Sequence, residues 1–292
     1  MNLIRLSSSF LLCILFSTLA WAYPNFISYG YKSCMTCHYN GNGGGAINDY
    51  GRAVFASELV ARTFTNKTPD QLGEESGFLG TTELPWWIRP GVKYRGLWLQ
   101  TDVASSKQTD RWINMQADLD LIINFDQKNT FSLITNFGYV PTPRRFQSSN
   151  EPKPSNWISR QHYLRWQIQK GLILYTGLTD KAFGIRHADH TAVNRSALGF
   201  VQSDQSHGVT LQNMNDLYDI SANAFIGNLS QDKESRQQGL ALTGEYYPDK
   251  MFSLGGSALS SESDFKAERR YALLSRIGFA KGKSFLFELG QY

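Results

Sequence analysis

Residues Cys34-Met35-Thr36-Cys37-His38 are the stretch of this chain whose types and spacing point most directly to chemistry. A C-x-x-C-H run offers two thiols to add across the vinyl groups of a porphyrin, and an imidazole beside them as proximal iron ligand. Without the histidine, C-x-x-C in an exported protein reads as a redox disulfide. His38 changes that reading. The sole other cysteine is Cys13, which leaves no partners for a structural disulfide or a closed zinc site. The spacing predicts one haem c, attached through Cys34 and Cys37, with His38 on the iron.

The sixth iron position is less defined. Met35 lies inside the attachment loop and is poorly placed to reach back. His162 shares a strand face with Leu164, Trp166 and Ile168, and His207 is in register with Val209 and Leu211. Both faces point away from a polar interior. His187 and His190 fall in the connection 179–205, which is long enough to fold inward. His190 is the distal candidate, weighed against a methionine or a water-bound iron. Such a ligand decides the potential, since His/Met iron sits higher than bis-histidine iron.

The elements that must position this group begin with a leader. In residues 1–22, Arg5 gives the positive start, Phe10 to Ala20 the short apolar core and Ala20-Trp21-Ala22 a cleavage site. The chain is therefore read as exported. Residues 23–85 form the haem segment, with glycines at 41, 43, 44 and 45 after the motif. Asn48 or Asp49 then caps a short helix carrying Val54, Phe55, Leu59 and Val60 on its apolar face. So short a segment cannot enclose a porphyrin alone. The net charge of +4 is too small to argue for nucleic acid as a partner.

From Trp86 the periodicity becomes two. Ala117, Leu119, Leu121, Ile123 and Phe125 alternate with Gln116, Asp118, Asp120, Ile122 and Asn124. Similar alternation predicts eleven strands: 87–101, 112–125, 130–140, 157–169, 172–178, 206–213, 217–227, 238–247, 251–260, 268–280 and 284–292. The connections read long, short, long, short throughout. A soluble sandwich has no reason to segregate loop length by side, whereas an outer-membrane barrel does. Residues 86–292 are thus read as a mainly β, antiparallel transmembrane β-barrel, with Lys93, Arg95, Asp118, Asp120, Arg165, Glu245 and Arg276 facing the lumen. The first connection is long, which puts the haem segment on the periplasmic side. An odd strand count, and Tyr292 out of register with Phe285, Phe287 and Leu289, predict a barrel that is truncated or completed otherwise.

The combination resembles the fused monohaem cytochrome–porins of bacterial outer membranes. The resemblance rests on "YGYKSCMTCHYNGNGGGAINDYGRA", "GLTDKAFGIRHADHTAVNR" and "FVQSDQSHGV". It implies a barrel whose lumen shelters the haem segment. It also implies electron transfer between an extracellular donor or acceptor, iron(II) among them, and a periplasmic cytochrome or other carrier. Acting on a metal ion would make the chain formally an oxidoreductase. The rival reading is a diffusion porin in which the haem segment is a plug, sensor or structural fastening. Outer-membrane lipid is a partner in either case.

Overall fold

The computed structural model describes residues 26–55, 67–68, 70–71, 84–101, 109–139, 156–185, 204–280 and 282–291. The leader and the histidines at 187 and 190 lie outside these residues. The described residues form one antiparallel sheet of twelve strands. They are β1 (Ile88–Thr101), β2 (Thr109–Asn124), β3 (Phe131–Tyr139), β4 (Trp157–Ile158), β5 (His162–Gln169), β6 (Leu172–Thr179), β7 (Ser206–Met214), β8 (Tyr218–Phe225), β9 (Gln238–Asp249), β10 (Phe252–Glu262), β11 (Ala267–Ala280) and β12 (Lys283–Gln291). Eleven are ordered by sequence neighbour, while the two-residue β4 pairs only with the end of β3. β1 and β12 run in the same direction, and no ladder joins them among the described residues.

The two faces of the sheet reverse the pattern of a water-soluble protein. Asp118, Asp120, Asn136, Thr210, Gln212 and Ser253 are buried on the inward face. Trp98, Leu119, Phe137, Leu240, Leu273 and Phe287 are exposed on the outward face. In water so large an apolar surface would drive association. In hydrocarbon it needs no cover, and a strand ladder satisfies the backbone groups that lipid cannot. This is the architecture of a membrane β-barrel wall with a polar interior. No helix among the described residues is long and apolar enough to cross a membrane.

Two details depart from the sequence reading. The expected strand 157–169 is broken at Ser159–Gln161, where Arg160 and Gln161 are consecutive and both buried. β3 pairs Gly138 with Ile158 but Thr135 with His162, so one extra residue sits in the second strand. Such a bulge exchanges the faces on its two sides. An unbroken strand would turn Trp157 inward with Tyr163, yet Trp157 is 70% exposed. Second, β10 and β11 extend until only 263–266 separate them. Ser263 N donates to Lys266 O at 2.8 Å and closes a tight hairpin. The segregation of loop length fails at this one connection because the ladder absorbs the flanking residues, Glu262 pairing with Ala267.

Candidate haem site

The C-x-x-C-H run folds as a single 3-10 turn, Cys34–Thr36. Ser33 caps it, and Cys37 N and His38 N both donate to Cys34 O. His38 then bridges to Ile47 across the glycine-rich loop. The helix α1 (Asp49–Val54) is capped by Asn48, whose side-chain Oδ1 accepts from Gly51 N at 2.8 Å. Asn48 Nδ2 reaches back to Met35 O and Thr36 O, both at 3.2 Å. One side chain thus both starts the helix and ties it to the cysteine turn. Of the apolar face expected on this helix, Phe55 is exposed, and Leu59 and Val60 lie outside the described residues.

Polar side chains of the wall hold this segment in the lumen. Near the short-turn end, Lys32 Nζ donates to Asp216 O at 2.6 Å. Ser33 Oγ donates to Asp219 Oδ2 at 2.7 Å, and Gln212 Nε2 occupies the other oxygen at 2.7 Å. Arg276 donates to Lys32 O at 3.0 Å, to Glu245 at 2.7 Å and to the Tyr247 hydroxyl at 3.1 Å. On the far side of the segment, Arg89 pairs with Asp49, and Arg52 donates to Pro90 O. The glycine-rich loop points towards the long-loop end, where Asn42 Nδ2 donates to Asp180 O at 3.1 Å.

The thiols and imidazole suit the group that the sequence predicts. Cys34 and Cys37 are both free and half-buried, with no disulfide between them. Gly43, at φ +76, passes so close that a Cβ would stand 3.0 Å from Cys34 Sγ. His38 Nδ1 is buried and without a hydrogen-bond partner. Burial, with the nearby Lys93 charge adding to it, brings the His38 pKa down to about 4. The imidazole is therefore neutral at physiological pH, the form that binds a metal. Burial pushes the Cys34 thiol up to about 11 and raises Cys37 as well.

The other iron-ligand candidates fall as follows. Met35 is buried, and its sulfur accepts from the Tyr175 hydroxyl at 2.8 Å. His162 and His207 stand on the outward face, where they meet each other. His190 lies outside the described residues. The lumen-facing charges behave as their alternation implies: Asp118, Asp120, Arg165 and Arg276 are buried, and Lys93 Nζ meets Asp120 at 2.6 Å.

Sequence reasoning missed the docking residues Lys32, Ser33, Asp219 and Gln212. The one signal of Asp219 and Gln212 is a polar residue at an inward strand position, and many positions share it. The start of the connection after β6 does turn inward. Phe183 and Ile185 are buried in the lumen against Phe225, Leu259 and Leu274, and the preceding Ala182 is buried too. Gly184 N donates to Ser257 Oγ at 3.0 Å, and Ile185 N to Glu288 at 3.1 Å. This strap reaches across the interior to the β10 and β12 side.

The sequence itself matches no protein-family model and no curated protein. Among solved structures, OmpT of Vibrio cholerae, an outer membrane protein folded in vitro and in its trimer form, aligns with 70% of this chain and 78% of its own. The identity is 10% and the TM-score 0.31.

Close packing makes the cysteine turn sensitive to a single methyl group. A Cβ on Gly51 would stand 2.3 Å from Cys37 O and 2.4 Å from Ile47 Cγ2, so α1 must shift to admit it. Gly51→Ala is expected to weaken this packing by about 1–3 kcal/mol. Cys37 in the haem-free protein should then react faster with a thiol reagent, by roughly 5- to 100-fold if local opening limits the reaction. An unchanged rate would mean that the turn does not depend on α1.

Proposed function

We propose that this chain is an outer-membrane electron-transfer protein that carries one haem c on Cys34, Cys37 and His38 inside its barrel lumen. The observation that carries the reading is the docked C-x-x-C-H turn. It combines two unpaired thiols and a neutral imidazole with an orphan nitrogen, buried by a wall that the segment could not supply for itself. Bound there, a haem supplies reversible one-electron chemistry. The chain's own residues position it: Ser33, Lys32 and Arg276 anchor the turn, and Asn48 clamps its far side. The outward apolar face supports a place in the membrane, and the leader supports export. With the segment docked beside the short turns, its entry is from the periplasm, where tight turns belong in such barrels.

The resemblance adds the partners: a periplasmic cytochrome or other carrier on one side, and an extracellular donor or acceptor such as iron(II) on the other. Against the porin alternative stand two obstructions in the lumen, the haem segment and the apolar strap Ala182–Ile185.

The test uses haem-loaded protein in liposomes that enclose an oxidised dye, with an impermeant reductant outside. Reduction of the dye without escape of small solutes is the expected result. Solute leakage without reduction would instead identify a diffusion porin.

A further inference from the structure

His162 is the first residue of β5 and His207 the second of β7, on either side of β6, and both register with Leu178 on the outward face. Their Nε2 atoms are 3.2 Å apart, and Leu178 beneath them is only 2% exposed. The hydrogen bonds around the pair leave a single arrangement of protons. Leu229 N–H donates to His207 Nδ1 at 3.1 Å, so that nitrogen carries no hydrogen. The His207 proton is therefore on Nε2 and is donated to His162 Nε2. His162 in turn bears its proton on Nδ1 and donates to Ser159 Oγ at 2.9 Å. Ser159 Oγ–H ends the chain on Gln161 O at 3.2 Å. A backbone donor fixes one end and a backbone acceptor the other, so both imidazoles must be neutral.

One added proton breaks this chain. On His162 it sets two N–H groups against each other, and on His207 it sets Nδ1–H against Leu229 N–H. The turn holding Leu229 borders a polar cleft at the long-loop end, lined by Lys181, Asp204, Gln231, Ser235, Gln237 and Lys266. The charged groups around the pair give protonation no help. Arg236 packs on the same turn, donating to Leu229 O at 3.0 Å and Gln231 O at 2.9 Å, and Asp204 is already paired with Lys181 at 3.0 Å.

We propose that His162 and His207 form a proton-operated latch, which holds the 228–231 turn against the barrel rim when neutral and releases it on acidification. The latched state binds fewer protons than the released one, so it is favoured at high pH. It is lost as pH falls. The nitrogen separation would also suit two ligands of a tetrahedral metal. A metal on both Nε2 atoms, however, would require the His207 proton on Nδ1, where the Leu229 N–H already points.

Hydrogen exchange of residues 226–231 tests the latch in the intact, haem-loaded protein in lipid, with rates corrected for the intrinsic effect of pH. Protection in the unaltered protein should fall on acidification by up to tenfold per pH unit. His207→Phe should exchange fast at every pH. His162→Phe, which takes away only the acceptor of the His207 proton, should keep the step with its midpoint moved up. If His207→Phe does not fold, the His162→Phe midpoint decides. Exchange that ignores pH in the unaltered protein, or an identical step in His207→Phe, overturns the latch. So does stoichiometric Zn²⁺ binding at pH 8 that both variants abolish, which would make the pair a metal site.

Discussion

Serine at Cys34 or Cys37, or alanine at His38, should remove or severely reduce the haem signal of the outer-membrane fraction on a haem-stained denaturing gel. In the proposed attachment each cysteine would supply one of the two thioether links, with His38 as the imidazole beside them. Recovery of a normal c-type spectrum from any of these variants would contradict the assignment. The thiol environment adds a readout that needs no haem. Burial holds the Cys34 pKa up at about 11, so in the folded, haem-free protein this thiol stays protonated at neutral pH. The thiolate is the reactive form. Alkylation of Cys34 at pH 8 should be on the order of a hundredfold slower than for a thiol of ordinary pKa near 8.5. It should then rise about tenfold per pH unit towards pH 11. A Cys34 that alkylates like a free thiol at pH 8 would mean the segment is not docked.

The second large effect concerns the anchor of that segment. Arg276 is buried and joins three groups at once: Glu245 on β9, Tyr247 two residues along, and Lys32 O beside the cysteine turn. Its guanidinium also lies 5.8 Å from the centre of the Tyr247 ring. Arg276→Ala leaves the Glu245 carboxylate without its cation and Lys32 O without its donor. Breaking a buried ion pair from one side costs about 3–5 kcal/mol. The pair is not itself a large source of stability, because both charges were desolvated to make it. Arg276→Met combined with Glu245→Leu should therefore cost less than the two single losses added together. Urea unfolding of the protein in lipid vesicles, followed by tryptophan fluorescence, measures all of these. Strict additivity would show that the two side chains act independently.

Much of the wall was legible in the sequence because a strand writes its two environments at a period of two. Leu119 and Asp120 are neighbours, yet one meets the exterior and the other the lumen, and each is the residue its solvent demands. Ten of the expected strands reappear with shifted ends, and the eleventh is divided by its bulge. The turn at Cys34–Thr36 is local in the same way, with Ser33 capping it and Cys34 O closing it. The Asn48 cap is local as well, acting three residues ahead on Gly51 N.

Contacts between residues far apart in sequence left no such trace. Ser33 meets Asp219, Lys32 meets Arg276, and Asn42 meets Asp180, and each pairing exists only once the segment lies in the lumen. In the sequence His162 and His207 fall on outward strand faces with nothing to link them, and only the register of β5, β6 and β7 brings their rings together. The bulge at Ser159–Gln161 was hidden too, since one inserted residue changes which face a side chain takes without altering composition. The sequence by itself determined the strands and their two faces, which depend on near neighbours. Folding alone decided what fills the lumen and what meets across the wall, because those contacts are set by the register and curvature of the sheet.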